Sequence, residues 1–188
     1  MRNGLIVLAM SALAGCASVA AVDGTTMPLG RELSLRLPAA PDYPGMLSGV
    51  QTVAGQYGER KAAFQAALEL TPVSVNIALT AINGPRILSI NWTKDGIVED
   101  RTPLAPADLR GVNVLGDIFV SMWPADRVRA ALPSGVELVE DGQRRTLKAK
   151  DRTIVEVETL ERSAAGMKQT LRNLDFGYVL NIATEIDP

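Results

Sequence analysis

Few residues in this chain could carry chemistry, and their spacing narrows the choice. Cys16 is the single cysteine among 188 residues, and histidine is absent. A lone cysteine excludes an internal disulfide and a thiolate metal cluster. The lack of histidine removes the commonest general base, the Ser–His and Cys–His nucleophile pairs and the commonest neutral metal ligand. Glu99-Asp100 and Glu140-Asp141 are adjacent acids. Neighbours on a strand point to opposite faces, so adjacency does not bring two carboxylates to one reacting bond. Gly-x-Ser-x-Gly, Ser-x-x-Lys and phosphate-cradling glycine motifs do not occur. Arg144, Arg145, Lys148, Lys150 and Arg152 form a basic run after a turn. Such a run either meets anionic headgroups or is a solvated hairpin balanced by Glu137, Glu140 and Asp141, and the second is the expectation here. A net charge of −2 gives no general attraction for nucleic acid. The sequence thus predicts no catalytic residue, no metal site, no cofactor and no nucleic-acid partner.

The chemistry that remains is at Cys16. Arg2 precedes an apolar run from Gly4 to Ala14 that ends in Leu13-Ala14-Gly15-Cys16. A positive start, a short apolar stretch and small residues before a cleavage point describe a secretory signal, too short to span a bilayer. With cysteine following the small residues, the motif resembles a bacterial lipobox. That resemblance implies cleavage of residues 1–15 and diacylglycerol on Cys16. Two or three acyl chains, at about 0.8 kcal/mol per buried methylene, make a stable anchor. Ala17 and Ser18, in place of aspartate, imply sorting to the outer membrane, with the folded part facing the periplasm of a Gram-negative cell. Glycines and prolines are scattered from Ala17 to Pro44, so the acylated cysteine and a tether are expected over 16–30 and the folded domain over 31–188.

The elements that must position anything further are mostly strands. Leu33, Leu35 and Leu37 alternate with polar residues before Pro38 and suit an edge strand. Leu47–Tyr57 reads as a weakly patterned strand. Phe64–Leu70, Val73–Thr80 and Leu88–Trp92 alternate with a period of two, broken by Thr71-Pro72 and Asn83-Gly84-Pro85; they predict an antiparallel meander with one apolar face. Lys94-Asp95-Gly96 predicts a hairpin into Ile97–Arg101. From Pro106 to Met122, apolar residues recur every three or four positions, which predicts a helix weakened by Gly111 and Gly116. A second helix runs from Pro124 to near Leu132. Strands resume at Val136–Glu140, Gln143–Lys150 and Thr153–Leu160, and a last alternating run spans Leu174–Ile182. The expected class is α+β, one curved antiparallel β-sheet with helices gathered on one face.

Trp123-Pro124, Leu132-Pro133, Gly135, Glu140-Asp141-Gly142, Arg144-Arg145, Asn173, Gly177-Tyr178, Leu180, Ile182 and Thr184 form an ordered set behind the lipobox. The set resembles a family of LolB-like outer-membrane lipoproteins, often encoded beside aryl-polyene biosynthesis genes and similar to LolA and LolB. The resemblance covers roughly Leu35 to the C-terminus. It implies an unclosed half-barrel, its concave apolar face covered by helices, that receives the acyl chains of a lipid or lipoprotein. A periplasmic LolA-like carrier stands among the implied partners, with the outer membrane itself through Cys16. LolB also inserts a hairpin leucine into the membrane. The matching hairpin here is Thr80–Gly84, where Asn83 takes the leucine position and Ile82 precedes it.

The alternating face of Leu68, Leu70, Val75, Ile77, Leu79, Leu88, Ile90 and Trp92 is core by default. The resemblance makes it the wall of a ligand cavity for a chain such as palmitate, completed by Phe119, Met122 and Tyr178, with the Gly111–Gly116 helix as lid. Two functions stay open: an acyl-binding carrier or insertion lipoprotein, and a non-enzymatic scaffold with a dry core. They divide on whether an apolar space exists.

Overall fold

The computed structural model describes residues 19–21 and 25–188; the expected signal segment and Cys16 lie outside the described residues. Three short strands come first: β1 (Val19–Ala21), β2 (Thr26–Gly30) and β3 (Leu33–Arg36). A first meander follows, of β4 (Leu47–Tyr57), β5 (Arg60–Leu70), β6 (Ser74–Ala81), β7 (Arg86–Thr93) and β8 (Gly96–Arg101). Helices α1 (Gly111–Met122) and α2 (Ala125–Ala131) lead into a second meander: β9 (Val136–Asp141), β10 (Arg144–Ala149), β11 (Arg152–Ser163), β12 (Gly166–Asn173) and β13 (Tyr178–Ile186). Eleven strands form one sheet in the order β1-β8-β7-β6-β5-β4-β13-β12-β11-β10-β9, and β2 pairs with β3 apart from it. The large sheet is curved and does not close. No helix among the described residues is long and apolar enough to cross a membrane.

The period-two pattern builds the first meander as expected. Register places Leu70, Val75, Trp92 and Ile97 side by side on neighbouring strands. Leu68, Ile77 and Ile90 form the next row, and Ala66, Leu79 and Leu88 the one after. None of these residues is more than 4% exposed. Each large side chain so buried contributes about 1.5–3 kcal/mol of transfer free energy. Their polar neighbours face out: Asn76, for example, accepts from Asn91 at 2.6 Å and donates to Glu69 at 2.9 Å on the other surface.

Four expectations change. Thr26–Gly30, read as tether, is a strand whose Met27 and Leu29 are buried, and β3 pairs with it instead of edging the main sheet. Pro28 hid that strand, because proline argues against a ladder position. The helix starts at Gly111 and not Pro106; Arg101 holds the turns before it, its guanidinium donating to the carbonyls of Pro106 and Leu109. Strand β12 carries no apolar alternation, since two of its inward positions are the buried polar residues Gln169 and Asn173. The last strand begins at Tyr178, because the Asn173 side chain accepts the Phe176 N–H at 2.9 Å and turns the chain there.

Gly111 and Gly116 do not break α1, which is continuous. They permit close approach. A Cβ on Gly116 would stand 1.5 Å from Met27 Sδ, and one on Gly111 would stand 2.6 Å from Glu99 Oε2. Gly116→Ala is therefore expected to destabilise the fold by about 1–3 kcal/mol, despite alanine's better helix propensity. Combining it with Met27→Ala should cost less than the sum of the single changes. Urea midpoints of the four proteins would check this, and strict additivity would show that β2 does not press on the helix.

Candidate functional site

Helix α1 buries Val112, Leu115, Ile118 and Phe119 against the sheet. On the same helix Asn113, Asp117 and Ser121 recur every fourth residue, a spacing that stacks side chains along one face. That polar stripe looks into an apolar cavity of about 220 Å³. The opposite wall comes from the sheet, where Val53 and Gln51 of β4, Ala66 of β5, Leu79 of β6 and Ile182 of β13 face inward. Met27 and Pro28 of β2 close one side.

Asp117 sets the electrostatics. The Tyr178 hydroxyl donates to Asp117 Oδ1 at 2.8 Å. Burial pushes the Asp117 carboxyl up to about 7, against the opposing effect of that hydrogen bond. Tyr178 is held well above the usual phenol range, first by burial and then by the Asp117 charge, so it stays a donor. Ser121 Oγ donates to the Asp117 carbonyl at 2.7 Å, and Gln51 Nε2 donates to Thr184 Oγ1 at 3.2 Å. Asn113 Oδ1 is buried without a partner among the described residues. The cavity lining contains neither Lys nor Arg, and among the described residues no group of three or more Cys, Asp or Glu is placed to hold a metal ion. The arrangement can solvate a hydroxyl or carbonyl. Its lining holds no cation for a developing oxyanion.

The helix above the cavity is held at both ends by charges from the sheet. At its start the Gly111 N–H donates to Glu99 Oε2 of β8 at 2.8 Å, and Arg101 pairs with the other oxygen of Glu99 at 3.0 Å. At its end Arg145 of β10 donates to the carbonyls of Val120 and Trp123 at 2.7 and 2.8 Å and pairs with Glu140 at 2.8 Å. An anion at the N-terminus and a cation at the C-terminus both match the helix dipole. Arg144, expected in the solvated hairpin, pairs with Glu158 at 3.1 Å on the facing strand β11.

Of the residues expected to form the cavity, Leu79 and Tyr178 line it. Leu68, Leu70, Val75, Ile77, Leu88, Ile90 and Trp92 do not line it, and none is more than 3% exposed. The reason is filling. Phe119 and Trp123 occupy the space over β7, with ring centroids 6.5 and 6.1 Å from Trp92, and Tyr43 packs on Trp123 at 4.9 Å. Trp123 Nε1 donates to the Pro41 carbonyl at 2.8 Å, a buried structural role. Met122 is part-buried, and its Sδ accepts from Gln51. The open space lies further toward β4 and β13, where Ala66 replaces a large residue. Ile82 sits in the β6–β7 turn and is 42% exposed. Sequence reasoning missed Asn113 and Asp117, although a four-residue polar recurrence inside an apolar helix was a readable signal.

An outer groove of about 600 Å³ adjoins the cavity, and the two share Phe64, Leu109, Tyr178 and Leu180 as lining. Tyr57, Arg60 and Lys61 of the β4–β5 hairpin form one bank, and Pro106 and Asp108 of the loop before α1 form the other. The hairpin tip projects past the core: Arg60, Lys61, Ala62 and Ala63 are all exposed.

A family described as a protein of unknown function (DUF3261) matches residues 48–185, from the start of β4 almost to the end of β13. The chain belongs to that family. No curated protein matches the sequence. The match includes both meanders and α1 but leaves out β2, which supplies one side of the cavity.

The Asp117 environment makes stability depend on pH. Its folded pKa lies above the ordinary value of 3.8, at about 7, so its contribution is complete below the ordinary value and is lost as pH rises through about 7. Wild type is expected to weaken relative to Asp117→Asn between those limits, by a few kcal/mol at most at about 1.4 kcal/mol per unit. Urea midpoints of both proteins across that range would measure it. A constant difference would rule out a neutral buried carboxyl.

Proposed function

For this DUF3261 member we propose a non-enzymatic lipoprotein, anchored in the outer membrane through Cys16 and facing the periplasm, that binds the acyl chain of a lipid or lipoprotein beneath α1. In this reading the curved open sheet is a LolB-like half-barrel with its helices on the concave face. The ligand is handed on toward the membrane, from a LolA-like carrier or as an aryl-polyene lipid. The observation that carries the reading is the apolar cavity with a groove adjoining it. A volume of about 220 Å³ lies below the roughly 300–1,000 Å³ usual for ligand pockets, so a long chain extends from the cavity into the groove. Because α1 is fixed at both ends, the chain enters under the 102–110 loop and not by a swing of the helix. The exposed Ile82 turn lies at the same end of the sheet as the groove and is the segment that would meet the bilayer.

A scaffold with a dry core is the second reading. The sealed packing of Trp92, Phe119 and Trp123 favours it, since most of the face expected to hold ligand is filled.

Filling the cavity separates the two. Ala66→Phe and Leu79→Trp are expected to lower binding of hexadecanoate at least tenfold while leaving the thermal midpoint nearly unchanged, because both side chains would enter free space. Ile90→Trp, in sealed core, should instead cost about 1–3 kcal/mol. Native mass spectrometry of the Cys16→Ser protein, which cannot be acylated, would read occupancy. A wild-type protein that takes up no acyl compound would leave the scaffold reading.

A further inference from the structure

We infer that the ligand is an anionic single-chain amphiphile that enters tail first, with its head held outside the cavity by Arg60 and Lys61. The inference rests on the acyl-binding reading and adds the ligand's charge and direction. The cavity and groove adjoin across Phe64, Leu109, Tyr178 and Leu180, and cations line the groove but not the cavity. An anionic head at the inner end would meet Asp117, with no cation in the lining to offset it.

The groove differs. Arg60 faces Tyr57 in register and lies on the same side of β5 as Ala62 and Phe64, the residue shared by groove and cavity. Lys61, next along the strand and so on its other face, borders the groove at the exposed hairpin tip, and Asp108 is the one carboxylate in the lining. Neither Arg60 nor Lys61 forms an ion pair among the described residues. Two unneutralised cations against one acid leave the bank attractive to a carboxylate or phosphate.

A second basic region lies beyond the other end of the cavity, lined by Ser121, Glu140, Arg144, Arg145, Arg162 and Gln169 among others. It shares only Ser121 with the cavity. Arg145 there is already committed to Glu140 and two helix carbonyls, and Arg144 to Glu158. The Arg60 end is therefore the mouth.

The test uses the full-length Cys16→Ser protein with hexadecanoate, monohexadecyl phosphate and methyl hexadecanoate, each titrated by calorimetry at low and high salt. Both anions are expected to bind about fivefold tighter than the ester at low salt, the upper end for an exposed ion pair, with the gain shrinking at high salt. The paired change Arg60→Gln and Lys61→Gln should reduce both anions to the ester's affinity and leave the ester's unchanged. Whichever anion gains more names the head chemistry. An anion preference that survives the paired change, or one lost only in Arg162→Gln, would overturn the inference. Ester binding with no anion preference would overturn it while leaving the acyl-binding reading standing. No binding of any of the three would remove both.

Discussion

An open curved sheet has two ends that nothing in the ladder ties together, and here one helix ties them. Glu99 and Arg101 belong to β8 and Arg145 to β10, each one strand in from an end of the sheet. Glu99 and Arg145 reach opposite ends of α1, and Arg101 braces Glu99 and the loop before the helix. Their side chains are largely shielded, 9% exposed for Glu99 and 16% for Arg145, so solvent screens these contacts less than an ordinary surface pair. Removing one partner would strand the other in a poorly solvated place, which is the costly way to lose such a contact. The helix is thus a strut across the opening. Its ends are fixed to the sheet, and the cavity lies between its polar face and Ala66.

The local elements were legible where one rule acted alone. Period-two alternation marked β5 to β7, and three-four spacing marked α1 although not its start, because burial on one face dictated both. Rules in competition hid the rest. Strand β2 carries a proline, and β12 places Gln169 and Asn173 inward, so neither looks like a half-buried strand. Asn173 serves a turn on one side and the Leu29 carbonyl, 2.8 Å away, on the other. Its polarity is a structural requirement that hydropathy reads as exposure. The glycines of α1 illustrate the reverse error. They suggest weakness in a helix taken alone, and mean contact once Met27 and Glu99 are in place.

The cavity's position was less legible for a reason of volume. Alternation says which residues face inward but not how completely facing side chains fill the gap. Three aromatic residues close the β7 end, and one alanine leaves the β5 end open. Asn113, Asp117 and Ser121 then give a mainly apolar chamber a polar wall, with Gln51 and Tyr178 facing it from the sheet. An acyl chain gains from the carbon surface at roughly 25 cal/mol per Å² buried, without needing that wall.

The order of strands has a consequence for how the molecule assembles. Within each meander every pairing is between strands adjacent in the chain, so each closes over a short turn. The seam between β4 and β13 joins residues such as Gln51 and Thr184, 133 positions apart. Closing so long a loop carries an entropic cost that local pairing does not. The two meanders can therefore gather separately, while the seam waits for both. Gly49 shows how tight that final join is, since a Cβ there would stand 2.2 Å from the Glu185 carbonyl oxygen. The slowest contact to make is thus also among the least forgiving of added bulk, and the cavity, whose walls include strands from both sides of the seam, is complete only when folding is.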